Sequence, residues 1–207
     1  MRLLVTGFGP FPTMPRNPSA ALATAVAASP RWPVRGVAAE ARILTTAYAA
    51  LGSELGPALA SRPDAVLMIG VAGRSKRIRV ERRATARRST LFADAAGEAA
   101  ASPSIRGSPC TRVGPVPPAP ALRILRRYGL PSRISRDAGR YLCNAAYFRA
   151  LEGPAPVLFI HIPKPPRVAR LAAAPRRRAR QGWNTRLAAA LVDIVIMMLR
   201  NAQRGRA

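Results

Sequence analysis

The chain has 207 residues, of which 34 are lysine or arginine and 9 are acidic, so its formal net charge is +25. This length fits one domain with its own core and requires no second one, so we predict a single domain over residues 1–207. Two cysteines cannot build a disulfide framework, and no secretory signal is evident, so we expect a cytoplasmic protein. The longest apolar stretch, 187–199, is shorter than the roughly 20 residues of a membrane helix, so we expect no membrane span.

Strand and helix patterns alternate along the first part of the chain. The apolar run 2–6 predicts a buried strand that ends in the glycine-rich loop GFGPFP, and Asn17 followed by Pro18 predicts the start of an alanine-rich helix. The pattern then predicts a strand at 34–44, a helix at 46–60, a buried strand at 64–71, and an edge strand or hairpin arm at 76–84 that carries Glu81.

Residues 85–120 form a proline-, alanine- and arginine-rich segment for which we predict extended loops. After it, the pattern predicts a helix at 119–128, a strand at 132–136, a helix at 140–151, a strand at 157–162 and a helix at 181–200. Such alternation is typical of an α/β domain with a mostly parallel, twisted central sheet and helices on both faces. In these sheets, functional sites gather at the carboxyl ends of the strands.

Basic residues are densest at 74–88 and 167–180. One interpretation is a surface that binds nucleic acid or another polyanion, since neutralising phosphates releases counterions. The other is the composition of an arginine-rich proteome, and the lack of aromatic residues interleaved with the arginines favours it. Non-specific binding of polyanions is expected in either case.

Cys143, His161 and Glu81 are candidates for nucleophilic catalysis. Cys143 is predicted in the first turn of a helix, where the helix dipole and free N–H groups would lower the pKa of its thiol. His161 is the only histidine in the chain, and therefore the one side chain suited to accept a proton near pH 7. From the residues alone, His161 is also compatible with a structural role and Glu81 with a surface ion pair. Cys110 is interpreted as a small buried or incidental thiol.

Four blocks of the sequence match the pattern of one family. They are TGFGPF at 6–11 followed by Asn17-Pro18-Ser19, VERRA at 80–84, SRDAGRYLCNAAY at 135–147 and FIHIP at 159–163. With these blocks the chain resembles the pyroglutamyl peptidases of cysteine peptidase family C15 over most of its length. The resemblance implies a single α/β domain and a hydrolase that removes an N-terminal pyroglutamyl residue from a peptide or small amide through an acyl-enzyme, with no metal or cofactor.

The resemblance also implies roles for individual residues. Cys143 would be the nucleophile, with its backbone N–H helping to hold the oxyanion. His161 would be the general base and then the general acid, and Glu81 would orient its ring. For substrate binding, the resemblance implies four residues: Phe8, Phe11, Asn17 and Val71.

Three departures from the family pattern put the specificity in question. Val71 stands where the family usually has a glutamine, Ala86 where it has an asparagine, and Leu91 where it has an arginine that assists the oxyanion. Arg87 or Arg88 is a candidate to replace that arginine. A site that loses hydrogen-bond partners for its substrate loses discrimination steeply, so an altered acyl preference is compatible with the sequence.

Two hypotheses follow. The first is an active cysteine peptidase of this family, which the presence of Cys143, His161 and Glu81 supports. The second is a catalytically inactive relative that binds nucleic acid or another polyanion through its basic surface. A homo-oligomer is also compatible with the sequence, since the apolar face of 184–199 suits an interface as well as a core.

Overall fold

The protein is described from a computed structural model, which covers residues 1–11, 14–105, 107–164 and 174–204, with side chains outside 174–181. The strands are β1 Arg2–Phe8, β2 Ala38–Leu44, β3 Ala65–Ala72, β4 Ile78–Glu81, β5 Arg83–Thr85, β6 Thr111–Val113, β7 Ser132–Ser135 and β8 Val157–Pro163. The α-helices are α1 Pro18–Ala27, α2 Gly56–Ala60, α3 Pro118–Arg127, α4 Leu142–Ala150 and α5 Ala174–Arg204. A 3₁₀ turn at Pro33–Arg35 precedes β2, and a π-helical turn at Leu51–Leu55 leads into α2.

A six-stranded sheet in the order β2-β1-β3-β8-β4-β7 forms the centre of the fold. Strands β2, β1, β3 and β8 are mutually parallel, whereas β4 runs antiparallel to β8 and parallel to β7. The prediction of an edge strand at 76–84 is therefore wrong, because β4 lies inside the sheet. Two charged residues of this strand, Arg79 and Glu81, are accommodated inside the sheet because they pair with each other.

Helices cover both faces of the sheet, as predicted. Side chains of α1, α3 and α5 form one core cluster with the sheet, and side chains of α2 and α4 form a second one on the opposite face. Successive strand residues point to opposite faces, and the central strands supply both clusters in this alternating manner. Leu67 and Ile69 of β3, for example, belong to the first cluster, whereas Met68 belongs to the second. The expectation of an α/β domain with helices on both faces is confirmed.

The turn between β1 and α1 is held by close backbone packing. A Cβ at Gly7 would lie 2.5 Å from the carbonyl oxygen of Ser19, so only glycine fits there. Asn17 caps α1 by accepting a hydrogen bond of 3.1 Å from the Ser19 N–H, and its Nδ2 donates to the Gly9 carbonyl at 3.0 Å. The glycine-rich loop is thereby fixed to the start of the helix.

The proline-rich segment 85–120 contains little regular structure, but it is not wholly irregular. Strands β5 and β6 pair in an antiparallel two-stranded sheet, and Arg87 forms an isolated bridge with Ser104. Three-residue strands are too short to leave an alternating pattern that can be recognised in the sequence. Residues 165–173, which contain part of the second basic run, lie outside the described residues.

The apolar residues of the last helix belong to the core. By length and composition, the part Gly182–Arg204 is the one described helix that could cross a membrane, and half of its apolar window is buried inside the protein. Leu187, Leu191, Ile194 and Val195 are fully buried against the sheet and its neighbouring helices. The apolar face of 184–199 is thus core, and the oligomeric state stays a prediction.

Asp193 of α5 ties three parts of the fold together. Its carboxylate accepts hydrogen bonds from Arg31 Nη1 at 2.5 Å, from Arg127 Nη2 at 3.1 Å and from the Tyr128 hydroxyl at 2.8 Å. Burial alone would raise the pKa of this carboxyl, but the bonds from Arg31 and Tyr128 and the two arginine charges outweigh it and lower the pKa. The helices α3 and α5 and the residues after α1 are therefore linked through one charge.

We expect Asp193→Asn to lower the free energy of unfolding at pH 7 by about 2 kcal/mol, the scale of lost charge-assisted hydrogen bonds. Because the folded-state pKa is lowered, the ionic contribution is complete above the ordinary carboxyl pKa of about 3.9 and is lost as the pH falls through the folded value. Urea unfolding at several pH values measures this, and the difference from the natural chain should shrink below about pH 4. Glu40→Gln, which removes an exposed pair with Arg42, is the control and should change little. An equal effect of both substitutions would contradict the assignment.

Candidate active site

Three strands place the candidate residues on the face of the sheet that α4 covers. In the strand register, Gly70 of β3 is paired with His161 of β8, and His161 is paired with Arg79 of β4. Paired residues point to the same face, as do residues two apart on one strand, so Glu81 shares this face. Segments far apart in the sequence thus meet in one row across the sheet.

The imidazole of His161 binds the carboxylate of Glu81. Nδ1 lies 2.8 Å from Oε1, and since a carboxylate only accepts, Nδ1 carries the hydrogen when the ring is neutral. The two residues are 3% and 1% exposed, which rules out the interpretation of Glu81 as a surface ion-pair partner. The remaining ring nitrogen, Nε2, is then the one with a free lone pair.

The same carboxylate oxygen also faces an arginine. Nε of Arg79 lies 3.0 Å from Oε1 of Glu81. Its Nη2 donates to Oγ of Ser135 at 2.7 Å and to the carbonyl of Asp137, so the guanidinium is held at β7 as well. Oε2 of Glu81 is buried and has no hydrogen-bond partner among the described residues.

Aromatic rings pack beside the imidazole. The Phe159 ring lies 4.7 Å from that of His161 and 5.5 Å from that of Tyr147, measured between ring centroids. The Tyr147 hydroxyl donates to the backbone carbonyl of Glu81 at 3.2 Å. Helix α4 therefore contacts Glu81 directly through the Tyr147 hydroxyl, and it reaches His161 through the Phe159 ring of β8, which lies between Tyr147 and the imidazole.

Cys143 is the second residue of α4, as the sequence predicted for the first helical turn. Tyr141 precedes the helix without capping it through its side chain, which leaves first-turn N–H groups free for other partners. A Cβ at Gly70 would lie 2.9 Å from Sγ of Cys143, so the sulfur rests directly against the strand residue paired with His161.

The pKa of the Cys143 thiol is raised, to about 12. Burial is the largest cause and the negative charge of Glu81 is the second, while hydrogen bonds from the backbone N–H groups of Val71 and Cys143 itself act in the opposite direction. The expectation of a lowered pKa is wrong for this reason: the helix N-terminus does favour the thiolate, but loss of solvent and a nearby carboxylate outweigh it. Desolvation of the sulfur and the charge of Glu81 thus favour the protonated thiol, although Cys143 as a residue is partly exposed.

The residues predicted for substrate binding lie in different surroundings. Phe8 is 3% exposed and packs in the core cluster beneath α4. Phe11 is partly exposed and pairs with Met14 across the loop. Asn17 is 9% exposed and holds that loop, as described above, and Val71 is partly exposed beside the sulfur. Contact of these four residues with a substrate stays a prediction.

The two candidate arginines after Ala86 differ in how far they are buried. Arg87 is exposed, whereas Arg88 is partly buried, and its charge acts on the Tyr48 hydroxyl in the direction of a lower pKa. Nη2 of Arg88 donates to the carbonyl of Ser104 at 3.2 Å, and its Nε is buried without a described partner. Leu91, by contrast, is 86% exposed.

Tyr48 and Arg88 adjoin the helix that bears the thiol. The Tyr48 ring meets that of Tyr141 edge to face, with centroids 6.0 Å apart. The pKa of Tyr141 is raised to about 12 by burial first, then by Tyr48, Asp94 and Cys143. Of the two candidate arginines, Arg88 is thus the partly buried one, and its charge acts on Tyr48, which contacts Tyr141 just before the helix of Cys143.

The other cysteine, Cys110, is exposed, which contradicts the interpretation of a buried thiol. Within the described ranges, no group of three or more histidine, cysteine, aspartate or glutamate side chains is arranged to hold a metal ion.

Comparison with known proteins assigns the family. The family model of pyroglutamyl peptidase, peptidase family C15, matches residues 1–197. The chain belongs to this family. It is 34% identical over 154 residues to the pyrrolidone-carboxylate peptidase of Thermococcus kodakarensis, with 73% of this chain and 72% of the relative covered. The corresponding enzyme of Chromobacterium violaceum is 32% identical over 164 residues, with 78% and 77% covered.

A solved structure agrees with this family assignment. The crystal structure of the pyrrolidone carboxyl peptidase from Thermus thermophilus superposes with a TM-score of 0.74 and 30% identity, covering 91% of this chain and 98% of that one. The predicted C15 membership and the predicted fold are both confirmed. The roles of individual side chains rest on the geometry described above.

Three residues of this C15 site escaped the sequence analysis. Gly70 could have been found as a glycine inside a buried strand, which often marks a close approach. Asn144 follows Cys143 and accepts from the Thr85 N–H at 2.9 Å, while its amide group donates to the carbonyls of Thr85 and Arg87 at 2.8 and 3.0 Å. Arg79 left no signal, because it is one arginine among many in its run.

We expect Gly70→Ala to lower kcat/KM for a pyroglutamyl amide by about 100-fold, because the new methyl group would displace the sulfur, and displacements near 1 Å have effects of this size. Gly73→Ala is the matched control, since a Cβ there has open space, and its activity should stay within about twofold. Steady-state kinetics of both folded variants measures the contrast. Full activity of Gly70→Ala would show that the sulfur does not need this position.

The raised thiol pKa predicts the pH dependence of alkylation. In a Cys110→Ser background, the rate of reaction of Cys143 with iodoacetamide should rise through pH 9 without a plateau, because the thiolate is the nucleophile. At pH 7 it should be slower than the reaction of exposed Cys110 measured in Cys143→Ala. Mass spectrometry of quenched samples gives both rates. A plateau near neutral pH would indicate a resting thiolate and contradict the buried-thiol assignment.

Proposed function

We propose that the protein is a thiol exopeptidase that removes N-terminal pyroglutamyl residues from peptides, with Cys143 as nucleophile, His161 as general base and acid, and Glu81 as the group that orients the imidazole. Membership of the C15 family supports the reaction class. The observation that carries the assignment of roles is the buried 2.8 Å hydrogen bond between His161 and Glu81, next to the strand residue on which the sulfur rests.

The hydrogen bond on Nδ1 decides which nitrogen of His161 works as the base. With its Nδ1 hydrogen held by Glu81, the neutral ring presents the lone pair of Nε2. Because the resting thiol is protonated, its proton passes to Nε2 as the sulfur attacks the pyroglutamyl carbonyl carbon. Glu81 then stabilises the imidazolium that forms.

The backbone around the sulfur suits the charge that develops next. The N–H groups of Val71 and Cys143 already point to the sulfur, and in the tetrahedral intermediate they are placed to donate to the oxyanion. The imidazolium gives its proton to the leaving amine, which leaves the pyroglutamyl group as a thioester. Water, activated by the same imidazole, hydrolyses the thioester and restores the thiol.

For substrate binding we propose the loop that contains Phe8 and Phe11, together with Val71, as the environment of the pyrrolidone ring. Arg88 is the better candidate than Arg87 for the positive group near the oxyanion, because it is the partly buried one and is directed toward Tyr48. A peptide substrate follows from the family.

The inactive alternative is not favoured, because the whole chain up to residue 197 follows a peptidase family. Three further expectations do not depend on the reaction and stay predictions: binding of polyanions by the basic surface, a homo-oligomer and a cytoplasmic location. Non-specific polyanion binding, driven by the charge of +25, is compatible with catalysis and would weaken steeply with salt.

A fluorogenic pyroglutamyl amide tests the proposal. We expect turnover by the natural chain, a loss of at least about 10³-fold in kcat/KM in Cys143→Ser and His161→Gln, and a smaller loss in Glu81→Gln, since the orienting residue of such triads contributes less than the nucleophile. Cys110→Ser, which changes the exposed thiol, is the control and should retain activity. Absence of turnover on the pyroglutamyl amide and on a panel of other aminoacyl amides would refute the proposal.

A further inference from the structure

We infer that Arg79 is a positioning residue of this site, which shares the charge of Glu81 with His161 and keeps the imidazole neutral and able to accept the thiol proton. The inference deepens the proposed function and rests on it for its catalytic meaning. Its physical content, the effect of Arg79 on the protonation of His161, does not depend on turnover.

The geometry places the guanidinium and the imidazole on one oxygen. Oε1 of Glu81 is 2.8 Å from Nδ1 of His161 and 3.0 Å from Nε of Arg79. Arg79 and His161 are also direct partners in the antiparallel pairing of β4 with β8, which puts both side chains on the same face of the sheet. The contact is therefore built into the strand register.

Arg79 is held in place independently of Glu81. Its Nη2 donates to Oγ of Ser135 at 2.7 Å, its Nε lies 3.2 Å from the same hydroxyl, and Nη2 also reaches the carbonyl of Asp137. Its side chain is only 19% exposed. An arginine bound to two acceptors, the Ser135 hydroxyl of β7 and the Asp137 carbonyl just beyond that strand, has little freedom to swing away from the carboxylate.

The charges involved have opposite effects on the imidazole. Glu81 alone, buried and negative, would favour the protonated form of His161. Arg79 is always protonated, so it neutralises the carboxylate and repels a second positive charge at the ring. The neutral ring that remains is the form able to take the proton of Cys143.

The other elements packed against the imidazole add few charges. Helix α4 presents Cys143 and Tyr147, which are both protonated at neutral pH because burial raises the pKa of each. Strand β3 presents Gly70, which has no side chain, and the Asp137 carboxylate is exposed and accepts from the Gly139 N–H. Among the residues that the structure describes, Glu81 and Arg79 are thus the charged pair nearest the ring.

The single histidine makes a direct measurement feasible. The Cε1–H signal of His161 in an NMR titration needs no assignment and no substrate. We expect the midpoint of this titration to rise by about one pH unit or more in Arg79→Gln and to stay within about 0.3 unit of the natural chain in Arg79→Lys, which keeps the charge. The acid limb of kcat/KM against pH should move with the midpoint in Arg79→Gln.

Arg133→Gln is the matched control. Arg133 is the strand partner of Arg79 on β7 and is exposed, so this variant removes the same charge from the neighbouring position without touching Glu81. Its midpoint should stay within about 0.3 unit. An unchanged midpoint in Arg79→Gln, or an equal shift in Arg133→Gln, would overturn the inference. Either result leaves the proposed reaction untouched, since the titration involves no turnover.

A second comparison covers the case in which Arg79→Gln fails to fold because a buried carboxylate is left without its counter-charge. Glu81→Gln and Glu81→Gln/Arg79→Met both lack that carboxylate. The midpoint of His161 should lie about one pH unit or more higher in the double variant, because the repelling charge is removed there. Equal midpoints in these two variants would overturn the inference as well.

Discussion

The carboxylate of Glu81 is a charge buried inside the sheet, and the arrangement of the site depends on how that charge is compensated. An unpaired carboxylate at this depth would be too costly to keep ionised, so its neighbours must supply hydrogen bonds and positive charge. The position of β4 between β8 and β7 does this: β8 brings His161 beside the carboxylate, and Ser135 of β7 holds Arg79, two residues before Glu81 on β4, against it. The strand register that buries Glu81 is therefore also what supplies the partners of its charge.

The same burial defines the state of the nucleophile. Removal of water from Cys143 and the proximity of Glu81 favour the protonated thiol, and the two backbone N–H groups at the sulfur are too weak to reverse this. In the proposed reaction the proton leaves during attack on the substrate, when the same N–H groups can donate to the developing oxyanion. Electrostatic stabilisation of this kind acts mainly in the transition state.

Acidic residues are few in this basic chain, and two of them, the buried Asp94 and the half-buried Asp193, lie at junctions between elements. Asp193 joins α5 to the ends of α1 and α3, and Asp94 accepts from the N–H groups of Tyr48, Ala96 and Glu98 to hold the loop beside the tyrosines. In both cases the bonds lower the pKa of the carboxyl despite burial. The partners differ, since Asp193 is bound by two arginines and a tyrosine, whereas Asp94 is bound by backbone N–H groups.

Local patterns in the sequence were sufficient for the alternation of strands and helices, for the position of Cys143 at a helix start, and for the order of the motifs that mark the C15 family. They were insufficient for the interior position of β4, because alternation of apolar and charged residues reports which side of a strand is buried and not which strands lie beside it. They also gave the wrong direction for the pKa of the Cys143 thiol, because a helix N-terminus can be recognised locally whereas burial depends on the tertiary fold. The bond between His161 and Glu81 spans 80 positions of the chain, and the role inferred for Arg79 exists only where β4, β7 and β8 meet. Which residue types are present is a property of the sequence, whereas the state of each proton is decided by neighbours that only the tertiary structure brings together.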